Sequence, residues 1–111
     1  MKARIPNQGQ SQAQMLKKLQ EMQEQMEAAQ AQVEESEFTS SSGGGAVEVA
    51  VSGRHEIRSI KIKPEVVDPE DVEMLEDMLM AALNEAMRKA DDTMEREMSR
   101  YKDGLGIPGL M

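Results

Sequence analysis

The sequence predicts an α+β fold: a long N-terminal helix, a three-stranded antiparallel meander and a long C-terminal helix. Three observations carry this expectation. Apolar residues recur at alternating steps of four and three from Met15 to Val33, valines alternate with other residues between Ala46 and Ser52, and a second stripe at three-and-four spacing runs from Val72 to Met98. A repeat near 3.6 belongs to a helix with one covered face, and a repeat of two belongs to a strand.

In the first element, Met15, Leu19, Met22, Met26, Ala29 and Val33 form a seam of nearly three heptads, which predicts a helix from about Ser11 to Glu35. Such a helix is about 37 Å long at 1.5 Å per residue. Its seam is built from Met and Ala as well as Leu, so two such helices associate weakly without further support.

SSSGGG at 40–45 breaks the helical pattern. Before it, Glu37-Phe38-Thr39 is predicted as a short first strand. After it, Val47, Val49 and Val51 share one face of a half-buried second strand whose other face carries Glu48, Ala50 and Ser52. Ser52-Gly53-Arg54 reads as a tight turn with Gly53 available for positive φ. Ile57, Ile60 and Ile62 form a third strand whose broken parity signals a bulge.

Pro64 ends the sheet. Asp68-Pro69-Glu70-Asp71 reads as an N-cap, a proline at the first helical position and acids facing the positive end of the helix dipole. The second helix is expected to cover the sheet with its first half and to run to about Lys102. One domain is thus expected over residues 11–103, between a flexible N-terminus at 1–10 and a flexible Gly/Pro tail at 104–111.

With 111 residues, no Trp, and Phe38 and Tyr101 as its only aromatics, the chain has little with which to fill a core of its own. Eleven Met residues suggest adaptable helix surfaces completed by a second subunit, so a homodimer is expected. The absence of Cys removes disulfides, thiolate metal sites and a cysteine nucleophile. No apolar stretch is long enough to span a bilayer, and MKARIPNQGQ lacks the apolar segment of a secretion signal, so a soluble, cytoplasmic protein without a membrane partner is expected.

The net charge is −8, but it is unevenly spread. Residues 1–18 carry +4, 19–45 carry −6, 46–63 carry +2, 64–79 carry −7 and 80–111 carry −1. A polyanion is attracted to where the cations lie rather than to the sum, so these blocks matter more than the total.

Three stretches taken together, LKKLQEMQEQM at 16–26, AVEVAVSGRHEIRSIKI at 46–62 after the Ser/Gly-rich turn, and DVEMLEDMLMAALNEAMRKADD at 71–92, resemble the YbaB/EbfC family of small bacterial nucleoid-associated proteins. The resemblance spans about residues 12–103. Its most distinctive part runs from Gly53 and His55 to an Asn-x-Ala-x-Arg pattern at Asn84, Ala86 and Arg88. It implies a homodimer in which sheets and sheet-covering helices join, leaving the long helices as tweezer arms for duplex DNA. It also implies an architectural role at the nucleoid, with altered DNA conformation and effects on gene expression.

The candidate phosphate contacts are Lys2, Arg4, Lys17 and Lys18, and further along Arg88, Lys89, Arg96, Arg100 and Lys102. On residues alone a solvated helix face is the simpler reading, because Glu and Asp are interspersed among them; the resemblance favours DNA contact. Leu75, Leu79 and Leu83 are candidates for the dimer interface. Arg54, Arg58, Lys61 and Lys63 read as charges that keep an edge strand from pairing with another sheet.

No helix-turn-helix or zinc-finger spacing is present, so any readout is of backbone and shape, with weak sequence specificity. His55 has no second His or Cys to share a metal and reads as a turn residue. The acids of 70–77 lack calcium-loop spacing. Gly104, Gly106 and Gly109 spell G-x-G-x-x-G without the strand and helix that make that motif bind pyrophosphate. No cofactor, small-molecule substrate or catalytic constellation is expected. The alternative function is a helical protein-interaction or holdase-like module that does not touch DNA, which composition alone favours.

Overall fold

The computed structural model describes residues 4–104, with side-chain surroundings for 12–102. Its elements follow the predicted order: helix α1 (Arg4–Glu35), strands β1 (Glu37–Ser42), β2 (Val47–Ser52) and β3 (Ile57–Ile62), a 3₁₀ turn at Pro64–Val66, and helix α2 (Val72–Gly104). The strands form one antiparallel sheet in the order β1-β2-β3. The molecule is elongated, 87 × 25 × 16 Å.

Several boundaries differ from those expected. Helix α1 begins at Arg4 rather than near Ser11. Strand β1 continues through Ser40, Ser41 and Ser42, since serines placed opposite Val49, Glu48 and Val47 complete the ladder. The turn is Gly43-Gly44-Gly45-Ala46, and the φ values of its three glycines, 60°, 67° and 91°, are open to glycine at little cost.

At the other hairpin Gly53 is not among the positive-φ residues; His55 is, at 69°. What Gly53 supplies is space, because a Cβ there would collide with the carbonyl oxygen of Val33 at the end of α1. The buried Ser52 hydroxyl organises this turn, accepting from the amides of Arg54 (3.1 Å) and Glu56 (3.2 Å).

The start of α2 also moves. Asp71 caps it, accepting the Met74 amide at 3.2 Å, while Asp68 accepts the Glu70 amide at 3.0 Å in a preceding turn. The expected bulge is present: Ala50 pairs with Ser59 and Val51 with Ile57, leaving Arg58 as the extra residue of β3.

Helix α2 lies over β1 and β2. Val47, Val49 and Val51 pack there against Ala82 and Ala86, with Phe38, Leu75, Met78, Leu79, Leu83 and Met87 around them. Small alanines let the helix approach closely, and Ser42 donates its hydroxyl to the Met78 carbonyl at 2.7 Å. The opposite sheet face has no helix over it and forms an open groove lined by Thr39, Ser41, Glu48, Ser59 and Lys61. Ala50 is buried even there, because a single methyl sits below its cross-strand neighbours Thr39 and Ser59.

Beyond the sheet the second half of α2 runs alongside α1, the two forming an arm. Met22, Met26 and Ala29 are half-buried and Val33 is buried, so this part of the predicted seam faces α2. The seam's outer members, Met15 and Leu19, are 64% and 48% exposed.

Candidate nucleic-acid interface

The base of the arm is fastened by the β2–β3 hairpin. Arg54 approaches Glu34 (3.8 Å) and Glu35 (3.5 Å), and Arg58 donates to the Glu35 carbonyl at 3.2 Å, where α1 ends and its dipole is negative. On the other helix, His55 Nε2 sits 2.6 Å from Asp91 Oδ1. Two cations expected to guard an edge strand thus instead tie α1 to the sheet. Lys61 and Lys63 remain exposed on or beside β3, an edge strand as predicted. Only the turn position of Arg54 and His55 hinted at this bracket in the sequence.

The candidate phosphate contacts fall into two groups. Arg88 and Lys89 lie level with the sheet and are already engaged: Arg88 with Glu85, one turn back, and Lys89 with the Thr39 carbonyl of β1 at 2.8 Å. Arg96, Arg100 and Lys102 lie on the arm, where Arg100 pairs with Glu97 at 3.0 Å and Arg96 donates to the Thr93 hydroxyl at 3.3 Å. From Lys89 to Lys102 is about 20 Å along the helix axis.

Lys17 and Lys18 lie on the outer part of α1, where residues 12–20 are all exposed and include no acid. Among the described residues, Lys17, Lys18, Arg96 and Lys102 form no salt bridge. Arg4 begins α1, but its side chain, like all of Lys2, lies outside the described residues. The arm therefore brings together Lys17, Lys18, Arg96, Arg100 and Lys102, which the sequence scattered over 85 positions, with Glu21, Glu24, Glu27 and Glu97 interspersed among them.

The dimer candidates Leu75, Leu79 and Leu83 are half-buried against the core of their own sheet. Met78 and Lys89 lean toward β1, through their contacts with Gly43 and Thr39. At about 100° per residue, Leu79 and Leu83 then turn toward β3. There the helix stops short: Ile57, Ile60 and Ile62, paired with Val51, Val49 and Val47 on the same face, stay 50%, 43% and 36% exposed. Leu79 and Leu83 thus turn toward this uncovered isoleucine face, whereas Leu75 sits over the core, level around the helix with Ala82 and Ala86.

Among known proteins, residues 8–105 match the YbaB/EbfC DNA-binding family. The chain belongs to this family. It is 57% identical over 96 residues to a nucleoid-associated protein of Alkaliphilus metalliredigens, covering 86% of this chain and 84% of that one. A nucleoid-associated protein of Clostridium acetobutylicum is 53% identical over 96 residues, with 86% of each chain covered. A crystal structure of an uncharacterized protein from Helicobacter pylori superposes with a TM-score of 0.62 at 26% identity, covering 76% of this chain and 88% of that one. As a YbaB/EbfC protein the chain is a member of a DNA-binding family rather than an enzyme family, and no helix among its described residues is long and apolar enough to cross a membrane.

Proposed function

We propose that this YbaB/EbfC protein binds duplex DNA at the nucleoid, in the cytoplasm, as a homodimer, with the arms of both subunits engaging one duplex through its phosphates. The observation that carries the reading is the arm itself: a two-helix projection whose outer part bears Lys17, Lys18, Arg96, Arg100 and Lys102, away from the acid-rich stretch at 64–79. A single arm offers few charges, so affinity comes from two arms on one polyanion, and a backbone contact of this kind carries little sequence information. Conformational change in the DNA follows from spanning it with two fixed arms, and effects on gene expression follow from that.

The dimer itself is proposed through Ile57, Ile60 and Ile62, with Leu79 and Leu83 at the border. Among the described residues the only buried apolar side chains are Val and Ala, while every Leu, Ile and Met keeps some exposure. A second copy on the isoleucine face gives these larger side chains the burial that one chain does not.

The test is titration of a labelled duplex with the wild type and two variants. Changing Lys17, Lys18, Arg96, Arg100 and Lys102 to Gln is expected to abolish binding; changing Arg88 and Lys89 to Gln is expected to weaken it much less. Equal loss from the two sets would place the contact at the sheet and contradict the arm. A second reading, a protein-interaction module, rests on the exposed Met15, Leu16 and Leu19, and predicts binding that salt does not weaken.

A further inference from the structure

The two helices of the arm are held in direction by different means. Helix α2 passes from the sheet into the arm without a break, so its course there is fixed by the helix itself. Helix α1 has no such support. Among the described residues the outermost buried side chains of the arm are Val33 and Ala90. Farther out, Met22, Met26 and Ala29 on α1 and Met94 and Met98 on α2 are only half-buried. Unbranched thioether side chains accept more than one packing geometry, so this seam keeps the helices together without dictating their angle.

The angle is dictated at the root. Gly53 lies so close to the Val33 carbonyl that no Cβ fits between them, and its amide donates to the Ser36 carbonyl at 3.2 Å. This backbone approach fixes a pivot and leaves the tilt about it open. Arg54 then reaches the carboxylates of Glu34 and Glu35, and Arg58 reaches both the carbonyl and, at 4.0 Å, the carboxylate of Glu35. Between the two arginines, His55 ties the same hairpin to Asp91 of α2. The placing of the acids is telling: α1 has no basic residue in its last turn and ends in two glutamates, the reverse of what its dipole favours. They cost the isolated helix stability and are accounted for by the arginines they meet.

We propose that Arg54 and Arg58 are positioning residues for DNA binding: through Glu34 and Glu35 they set the tilt of α1, and with it the spacing of Lys17 and Lys18 from Arg96, Arg100 and Lys102. This inference rests on the DNA-binding reading. The lever is long. Lys17 is about 25 Å from Glu34 along the axis, so a tilt of about 10° at the root moves it by about 4 Å. Successive phosphates of one DNA strand are about 3.4 Å apart along the duplex axis, so such a tilt misplaces the lysines by a whole phosphate.

The sign of one effect separates aim from charge. Glu34→Gln with Glu35→Gln removes two acids from the root of each arm and two charges that oppose the α1 dipole, so attraction to phosphate alone predicts tighter binding. Positioning predicts the reverse, about tenfold weaker binding of a labelled duplex at about 50 mM salt, with unchanged far-ultraviolet circular dichroism. Equal or tighter binding by the variant, beside salt-sensitive binding by the wild type, overturns the proposal and leaves the DNA-binding reading standing. No binding by the wild type overturns both. The tilt itself is read without DNA, from spin labels at Gln14→Cys on α1 and Ser41→Cys on the sheet of a chain that has no other Cys, diluted into an excess of unlabelled protein. In the Glu34→Gln, Glu35→Gln background the distance distribution is expected to broaden, or its centre to move, by about 4 Å. An unchanged distribution overturns the proposal even where affinity falls.

Discussion

Strands β2 and β3 present the same kind of surface and meet opposite fates. Val47, Val49 and Val51 are 0–2% exposed beneath α2, while their direct cross-strand partners Ile62, Ile60 and Ile57, larger and more apolar, are 36–50% exposed. Composition does not separate them; position does. Helix α2 is centred on β1 and β2, held there by Ser42 on Met78 and Lys89 on Thr39, and nothing equivalent draws it toward β3. A strand can therefore read as core in the sequence and stay half exposed in the folded chain.

The comparison can be broken most sharply at β2. Val49→Asp places a carboxylate among Val47, Val51 and Ala82, where it has neither water nor a partner, and the cost of several kcal/mol approaches the whole stability of a small domain. Loss of the cooperative thermal transition is the expected result.

The matching change on β3 is expected to act on assembly instead. Ile60→Glu leaves the chain folded, since that position is already 43% exposed, but weakens self-association by about 100-fold, or about 2.7 kcal/mol, as a charge enters an apolar interface. Light scattering alongside circular dichroism separates the two effects. A variant that unfolds, or one that remains dimeric, would contradict the distinction between the strands.

Smaller effects probe the bracket at the base of the arm. Gly53→Ala forces the end of α1 away from the hairpin and is expected to cost about 1–3 kcal/mol in chemical denaturation, as overpacking does. Asp91→Asn weakens the contact with His55; both side chains are about half exposed, so at most about 1 kcal/mol is expected. A loss as large as that from Gly53→Ala would mean that the His55 contact, rather than close backbone approach, sets the arm.

How much of this was legible in the sequence follows the range of each signal. Helices and strands came from periodicity, and the bulge at Arg58 from a parity break between Ile57 and Ile60. Local competition hid the caps: Asp68 and Asp71 both suit an N-cap, and only the turn made by Asp68 shows that the helix waits for Asp71. Serine is a poor strand former alone, so Ser40–Ser42 read as loop until their cross-strand valines were known. Among the interface candidates, the types were readable but the grouping was not. Lys17 and Lys102 share an arm because of a hairpin fifty residues from the latter, whereas Lys89 is held at the sheet by the Thr39 carbonyl and Arg88 pairs with Glu85 of its own helix.

The central claim is that a dimer built on β3 presents two arms, each bearing Lys17, Lys18, Arg96, Arg100 and Lys102, to one duplex. Titrating labelled duplex with the wild type and with Ile60→Glu, at about 50 and about 200 mM salt, tests it most directly. Three to five phosphate contacts per arm give about six to ten for the pair, so wild-type affinity is expected to fall by about 10³–10⁵ across that range. The folded monomeric variant is expected to bind far more weakly even at the lower salt. Equal binding by the monomer, or no binding by the wild type at either salt, would contradict the account.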